Sequence, residues 1–378
     1  MRARHFVVAF APLAAVTVLA ATTIDAPAKA DAGGIAARSY VQSNLVSDIP
    51  GLAAHTDANL KNPWGTSVGP GSPIWVSDNA AGVTTLYDGA GNARPLVVTI
   101  PAAPSGGAAA VGTPTGQAFN TFDPGSPDFV ISKAGASGPG FFLFATEDGT
   151  IAGWNPNVDP THAVTAVDRS TATDSAGDVG AVYKGLALVN TTAGKFLYAS
   201  NFRFGTIDVF DSHFDLVSSF TDPTVPAGFA PFGIHNIGGK LFVTFAKQDA
   251  QKHDDVSRPG NGFVDVFSPN GDLLQRFVGR DKLDSPWAVT LAPSTFGAFG
   301  GDILVGNFGD GRINAYDPFT GDHVGQLSSP VGGPIAIPGL WGLRFAPATP
   351  GAGPNTLFFT AGINHEADGL FGEITPNP

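Results

Sequence analysis

Chemistry in this 378-residue chain has to come from a recurring polar position. Six apolar runs end in Asn, Asp or Glu: Ile74 to Asn79, Phe141 to Asp148, Phe196 to Asn201, Leu241 to Asp249, Ile303 to Asn307 and Leu357 to Asn364. Carboxylates and amide oxygens are hard donors, and calcium takes 6–8 oxygen ligands. Asn79, Glu147, Asn201 and Asn307 hold matching positions in four runs. Together they form a candidate calcium site, weak because it carries one carboxylate among three neutral amides. An ion there could polarise a carbonyl or activate water. No other cofactor is expected. Asp78, Glu147, Asp148, Arg203, Asp249, His253, Asp310, His365 and Glu366 are the candidate ligand contacts. His365 and Glu366 could pair a base with its orienting acid, but only in a loop, because strand neighbours face opposite sides. Lys252-His253-Asp254-Asp255 lies in the longest insertion, Asp249 to Asn261, which reads as a mobile lid or ligand arm. The competing reading for every such position is a strand-end Asn or Asp that caps a turn, or a solvated charged loop.

Two catalytic patterns fail. Gly65-Thr66-Ser67-Val68-Gly69 matches the Gly-x-Ser-x-Gly nucleophile motif, which needs a strand-to-helix turn. Here it sits inside a strand pattern with no helix after it. The eight histidines include no His-x-x-x-His pair, so a zinc-protease helix has no support.

These polar ends belong to a unit of about 50–55 residues, within the period range of propeller blades. Its first element centres on Trp-Gly or a variant, as in Asn62-Pro63-Trp64-Gly65, Lys184-Gly185, Pro231-Phe232-Gly233, Pro286-Trp287-Ala288 and Leu340-Trp341-Gly342. The apolar run follows. Next comes a glycine with period-two alternation, as in Gly205-Thr206-Ile207-Asp208-Val209-Phe210 and Gly262-Phe263-Val264-Asp265-Val266-Phe267. Turn dipeptides and a fourth strand close five units, as in Arg94 to Ile100 and Leu273 to Val278. The sixth has no room for one, so Tyr40 to Val46 should supply it and close the ring. The expectation is an all-β, six-bladed β-propeller of four-stranded blades, a single domain over residues 31–378. The Trp64, Trp287 and Trp341 positions are read as packing between blades. With 49 Gly and 31 Pro, the composition suits many short strands joined by turns.

Arg2, Arg4 and His5, the apolar run Phe6 to Ala21 and Ala28-Lys29-Ala30 read as a signal peptide over residues 1–30. Its removal takes away three basic residues and one acidic one, moving the formal net charge from −12 to −14. Such a surface repels phosphate backbones, so nucleic acid is not an expected partner. No later stretch approaches the ~20 apolar residues of a membrane span. There are no cysteines, hence no disulfides or thiolate chemistry. The mature chain is expected outside the cytoplasm, periplasmic or extracellular, as a monomer.

Asn44-Leu45-Val46-Ser47-Asp48-Ile49-Pro50-Gly51, then Asn62-Pro63-Trp64-Gly65, then Trp75-Val76-Ser77-Asp78-Asn79, resembles a family of exported bacterial proteins. Many of its members carry a PEP-CTERM-type sorting anchor. The resemblance runs from about residue 40 onward. It implies a propeller related to NHL-repeat proteins and brings no catalytic residues with it. No Pro-Glu-Pro motif, apolar helix or basic tail follows Pro376. Three functions fit: a binding module for a small ligand, polysaccharide or protein at the channel face; a calcium-dependent hydrolase of the lactonase kind; and a structural role in the envelope or matrix.

Overall fold

A computed structural model describes residues 39–106, 110–121 and 128–378. The expected signal peptide lies outside these residues. The described chain folds as a six-bladed β-propeller. Blade 1 runs from the axis outward as Pro63–Ser67, Ile74–Asp78, Val83–Tyr87 and Val98–Thr99. Blade 2 is Pro114–Phe119, Phe142–Thr146, Thr150–Trp154 and Val164–Asp168. Blade 3 is Tyr183–Thr191, Gly194–Asn201, Thr206–Phe210 and Leu216–Phe220. Blade 4 is Phe229–Ile237, Lys240–Lys247, Gly262–Phe267 and Leu273–Gly279. Blade 5 is Pro286–Leu291, Ile303–Asn307, Ile313–Tyr316 and His323–Gln326. Blade 6 is Leu340–Phe345, Leu357–Ile363 and Asp368–Pro376, with Tyr40–Ser47 as its outer strand.

The closing strand is antiparallel to the last one, with Tyr40 opposite Pro376 and Ser47 opposite Leu370. Tyr40 is fully buried. Its hydroxyl donates to the Phe296 carbonyl and accepts from the Phe299 amide, both at 3.2 Å. Two details depart from the repeat pattern. The outer strand of blade 1 shrinks to two residues, preceded by a bridge from Tyr87 to Ala93. Pro95 has no amide to give a ladder there. Blade 2 carries an added hairpin, Val130–Lys133 with Ala136–Pro139, between its first two strands.

The repeated glycine after the inner-strand aromatic is a contact residue. A Cβ on Gly116 would stand 2.3 Å from the Leu186 amide of blade 3, and one on Gly233 would stand 1.9 Å from the Trp287 carbonyl of blade 5. Gly65, Gly185 and Gly342 press in the same way on blades 2, 4 and 1. Inner strands therefore converge at backbone distance. Farther out the gaps between blades are filled by aromatics, such as Trp75 of blade 1 stacked on Phe142 of blade 2 at 3.9 Å.

Candidate functional site

At the start of each inner strand, the register places the end of the second strand alongside: Pro63 pairs with Asp78, Tyr183 with Asn201 and Pro286 with Asn307. Strand 2–3 turns and inner-strand starts therefore share one mouth of the channel. Aromatics floor it. Trp64 and Trp341 stack with centroids 3.4 Å apart, and Trp287 meets them edge-on at 6.2 and 6.0 Å. Phe308 stacks on Trp341 at 4.0 Å. Trp64 and Trp341 are buried, so they form the floor's interior and not a ligand platform.

Above this floor, one hydrogen-bonded network joins five blades. Asn62 has φ +46°, a left-handed value that Asn tolerates better than most residues. Its Oδ1 accepts from Trp341 Nε1 at 3.0 Å. Its Nδ2 donates to Glu366 at 2.7 Å and to Asn79 at 3.4 Å. Asn79 in turn donates to Glu147 at 2.8 Å. Lys184 donates to the other Glu147 oxygen and, at 3.3 Å, to Asp254. His253 Nδ1 lies 2.9 Å from the same Asp254 oxygen. The Lys184 side chain is 1% exposed, with its ammonium 5.0 Å from the Trp64 ring.

Burial alone would lower the Lys184 ammonium, but Glu147 and Asp254 outweigh it and hold the group above its ordinary pKa. The His253 hydrogen bond, and then Lys184, keep the Asp254 carboxyl well below the usual range. Burial raises Glu366, against the Asn62 hydrogen bond. Asn364, His365 and Glu366 have φ of +54°, +56° and +66°. Three consecutive left-handed non-glycine residues are costly, and strain of this kind clusters at functional sites.

The sequence-derived candidates divide. Asn79, Glu147, His253 and Glu366 join the network. His365 is exposed beside Glu366, in the loop that an acid–base pair would need. Asp78 does not reach the mouth. It is fully buried, its electrostatic neighbours are Asp57 and Tyr87, and burial raises its carboxyl well above the usual range. Asp148 accepts from the Ala103 amide and pins the loop between blades 1 and 2. Arg203 donates to the Val179 and Gly180 carbonyls, both at 3.0 Å. Asp249 caps its own turn through the His253 amide at 2.9 Å. Asp310 accepts from Asn307 at 3.0 Å and from the Arg312 amide at 3.1 Å.

Of the four residues considered for calcium, Asn79 and Glu147 meet, whereas Asn201 and Asn307 do not join them. Asn201 donates to Asp208 at 3.1 Å within its own blade, and Asn307 donates to the Lys282 carbonyl at 2.8 Å. Strand-end amides are spent here on local turns. The Asp249 to Asn261 loop lies over the mouth, where Lys252 pairs with Asp178 and Lys184 with Asp254.

Asn62 and Lys184 are the members the sequence reading did not single out. A signal for Lys184 exists: it takes the inner-strand position held by Trp64, Phe232, Trp287 and Trp341 in other blades.

No protein-family model matches the chain. The solved structure of a streptogramin B lyase has a TM-score of 0.50 over 91% of this chain and 100% of that one. At 12% identity this likeness concerns the fold alone. Two uncharacterized proteins of Acanthamoeba polyphaga mimivirus align at far higher identity. One is 33% identical over 87% of this chain and 78% of its own length. The other is 34% identical over 87% and 84%. The chain belongs to the family of these mimivirus proteins.

Proposed function

We propose that this protein is an exported binding module that takes its ligand at the network mouth. One observation carries the reading: loops of several blades deliver Glu147, Asp254, Glu366 and His253 into one cluster whose only ammonium, Lys184, is buried beneath it. The three acidic groups outnumber that cation. Ligands with amine or hydroxyl donors fit best, whether free, on a polysaccharide or on a protein surface. The apolar run Phe6 to Ala21 with Ala28-Lys29-Ala30, and the resemblance to exported bacterial proteins, support export. Calorimetry with polyamines, amino-sugar oligomers and neutral oligosaccharides tests the site. Glu366→Gln and His253→Ala should each weaken the best binder about tenfold or more. Unchanged affinity in both variants would refute it.

A metal-dependent hydrolase is the second reading. Glu147, His253 and Asp254 each offer a donor atom within 4.8 Å of the others. Lys184 already bonds both carboxylates and competes with any ion for them. Calcium titration of chelator-treated protein separates the cases. Heat that disappears in His253→Ala supports a metal, and no heat at millimolar calcium removes this reading.

A further inference from the structure

The other end of the channel has a different character. A cavity of about 290 Å³ lies between the later halves of all six inner strands, with a void of about 30 Å³ continuing toward Trp287. No Asp or Glu lines it. Arg344, on the inner strand of blade 6, does. Its Nε donates to Thr66 Oγ1 at 3.0 Å. Among the described residues no carboxylate lies within ion-pair distance, and the two terminal nitrogens have no protein acceptor. Lys184 and Arg276 sit directly against carboxylates, whereas this axial guanidinium has none within reach.

The surroundings keep that charge uncompensated. Burial, with no carboxylate to offset it, pushes the Arg344 guanidinium down to about 10. His235 faces the same space. Its Nε2 lies 2.9 Å from the Trp287 carbonyl, which can only accept, so Nε2 carries the hydrogen. Burial first, and Arg344 as a further cause, push this imidazole to about 4, leaving it neutral near pH 7. Gln117 is fully engaged: it accepts from Ser67 at 2.8 Å and donates to the Gly65 carbonyl at 2.8 Å and to Ser77 at 3.0 Å. It braces the wall and cannot swing to serve Arg344. The rest of the wall alternates polar positions, Ser67, Asn236 and Thr290, with the side chains of Phe119, Leu188, Val289 and Phe345.

We infer that this cavity is a second binding site, for a small organic carboxylate whose acid group pairs with Arg344 and whose apolar body packs on the surrounding Phe, Leu and Val side chains. A planar guanidinium fork matches a carboxylate in two parallel hydrogen bonds. A concave space of this size, with one placed charge and apolar side chains between its polar groups, can hold a small molecule. This site is independent of the mouth network, which lies at the opposite ends of the same strands.

The probes are benzoate, butyrate, benzamide and inorganic phosphate, followed by thermal shift and calorimetry on the purified full chain. Benzoate or butyrate should raise the melting temperature and give saturable heat, while benzamide, the neutral isostere of benzoate, should not. Arg344→Met should weaken carboxylate binding about tenfold or more. Leu188→Trp, which fills the cavity and leaves Arg344 in place, should abolish it, so the outcome does not hinge on Arg344→Met folding. No carboxylate response at millimolar concentration, a response that survives Leu188→Trp, or binding of phosphate alone would overturn the inference.

Discussion

Lys184 acts as a tethered counter-ion. Its ammonium sits where two carboxylates from different blades converge, under a cover that leaves its side chain 1% exposed. Removing Lys184 would strand the nearly buried Glu147, whereas Asp254, 66% exposed, would be rehydrated, so the cost should lie toward the low end of the about 3–5 kcal/mol typical of a broken buried pair. Lys184→Met should therefore lower stability in urea by about that amount, while the exposed Lys133, paired with Asp159, should tolerate the same change at about 0–1 kcal/mol. Equal small effects at both sites would show that the cluster contributes little. At this scale the sequence was half legible. It placed Glu147, Asn79 and Glu366 at the mouth, because strand-end position follows from the repeat, and His253 through the long loop on the same face. It could not tell which polar ends turn inward. Asp78 and Asn79 are adjacent, yet one is sealed beside Tyr87 and the other bonds Glu147, a difference set by the turn that begins at Asn79.

At the scale of the element, the glycine that five of the six Trp-Gly variants carry, blade 5 having Ala288 instead, serves to mark the period in the sequence and to admit the neighbouring backbone in the fold. The pattern is visible in the chain, but its cause is not, since the contact is made with the next blade, far away in the sequence. Gly233→Ala would drive a methyl group into the Trp287 carbonyl, which stands 1.9 Å from the Cβ position. The neighbour is backbone and cannot rotate aside, so the substitution should destabilise by about 1–3 kcal/mol, the usual cost of overpacking. Gly205, where a Cβ would meet nothing within 4 Å and only the left-handed φ of +69° penalises alanine, is the control. Its alanine variant should lose only about 1 kcal/mol. Chemical denaturation of the two variants ranks them, and the reverse order would remove close approach as the reason for the repeat. The added hairpin of blade 2 was not legible, because Val130–Lys133 and Ala136–Pro139 interrupt the period without repeating elsewhere.

At the scale of the whole molecule, the ring is held shut by Tyr40–Ser47. Deleting residues 31–47 would expose the full edge of Asp368–Pro376, strip Tyr40 from its pocket between Phe296 and Phe299, and leave an open strand edge. The truncated protein should unfold at lower temperature and scatter light as it associates; an unchanged melting temperature would mean that closure does not depend on this strand. Closure was legible because a count of strands left one unit short at Pro378 and one strand spare at Tyr40.

That arrangement also orders events in time. Ser47 donates to the Gly369 carbonyl across 322 residues of chain, and Asn377 donates its amide to Ser39. Among the described strands, the earliest in the chain is thus among the last to find its partner. Five blades can assemble from neighbouring hairpins while the chain is still growing, but the sixth waits for the final residues. Pairings this distant are slow to form, and an edge left waiting is exposed to association. Over that interval the edge of Tyr40–Ser47 that will face Asp368–Pro376 has only its short local pairing with His55–Thr56 beside it and stays open to association.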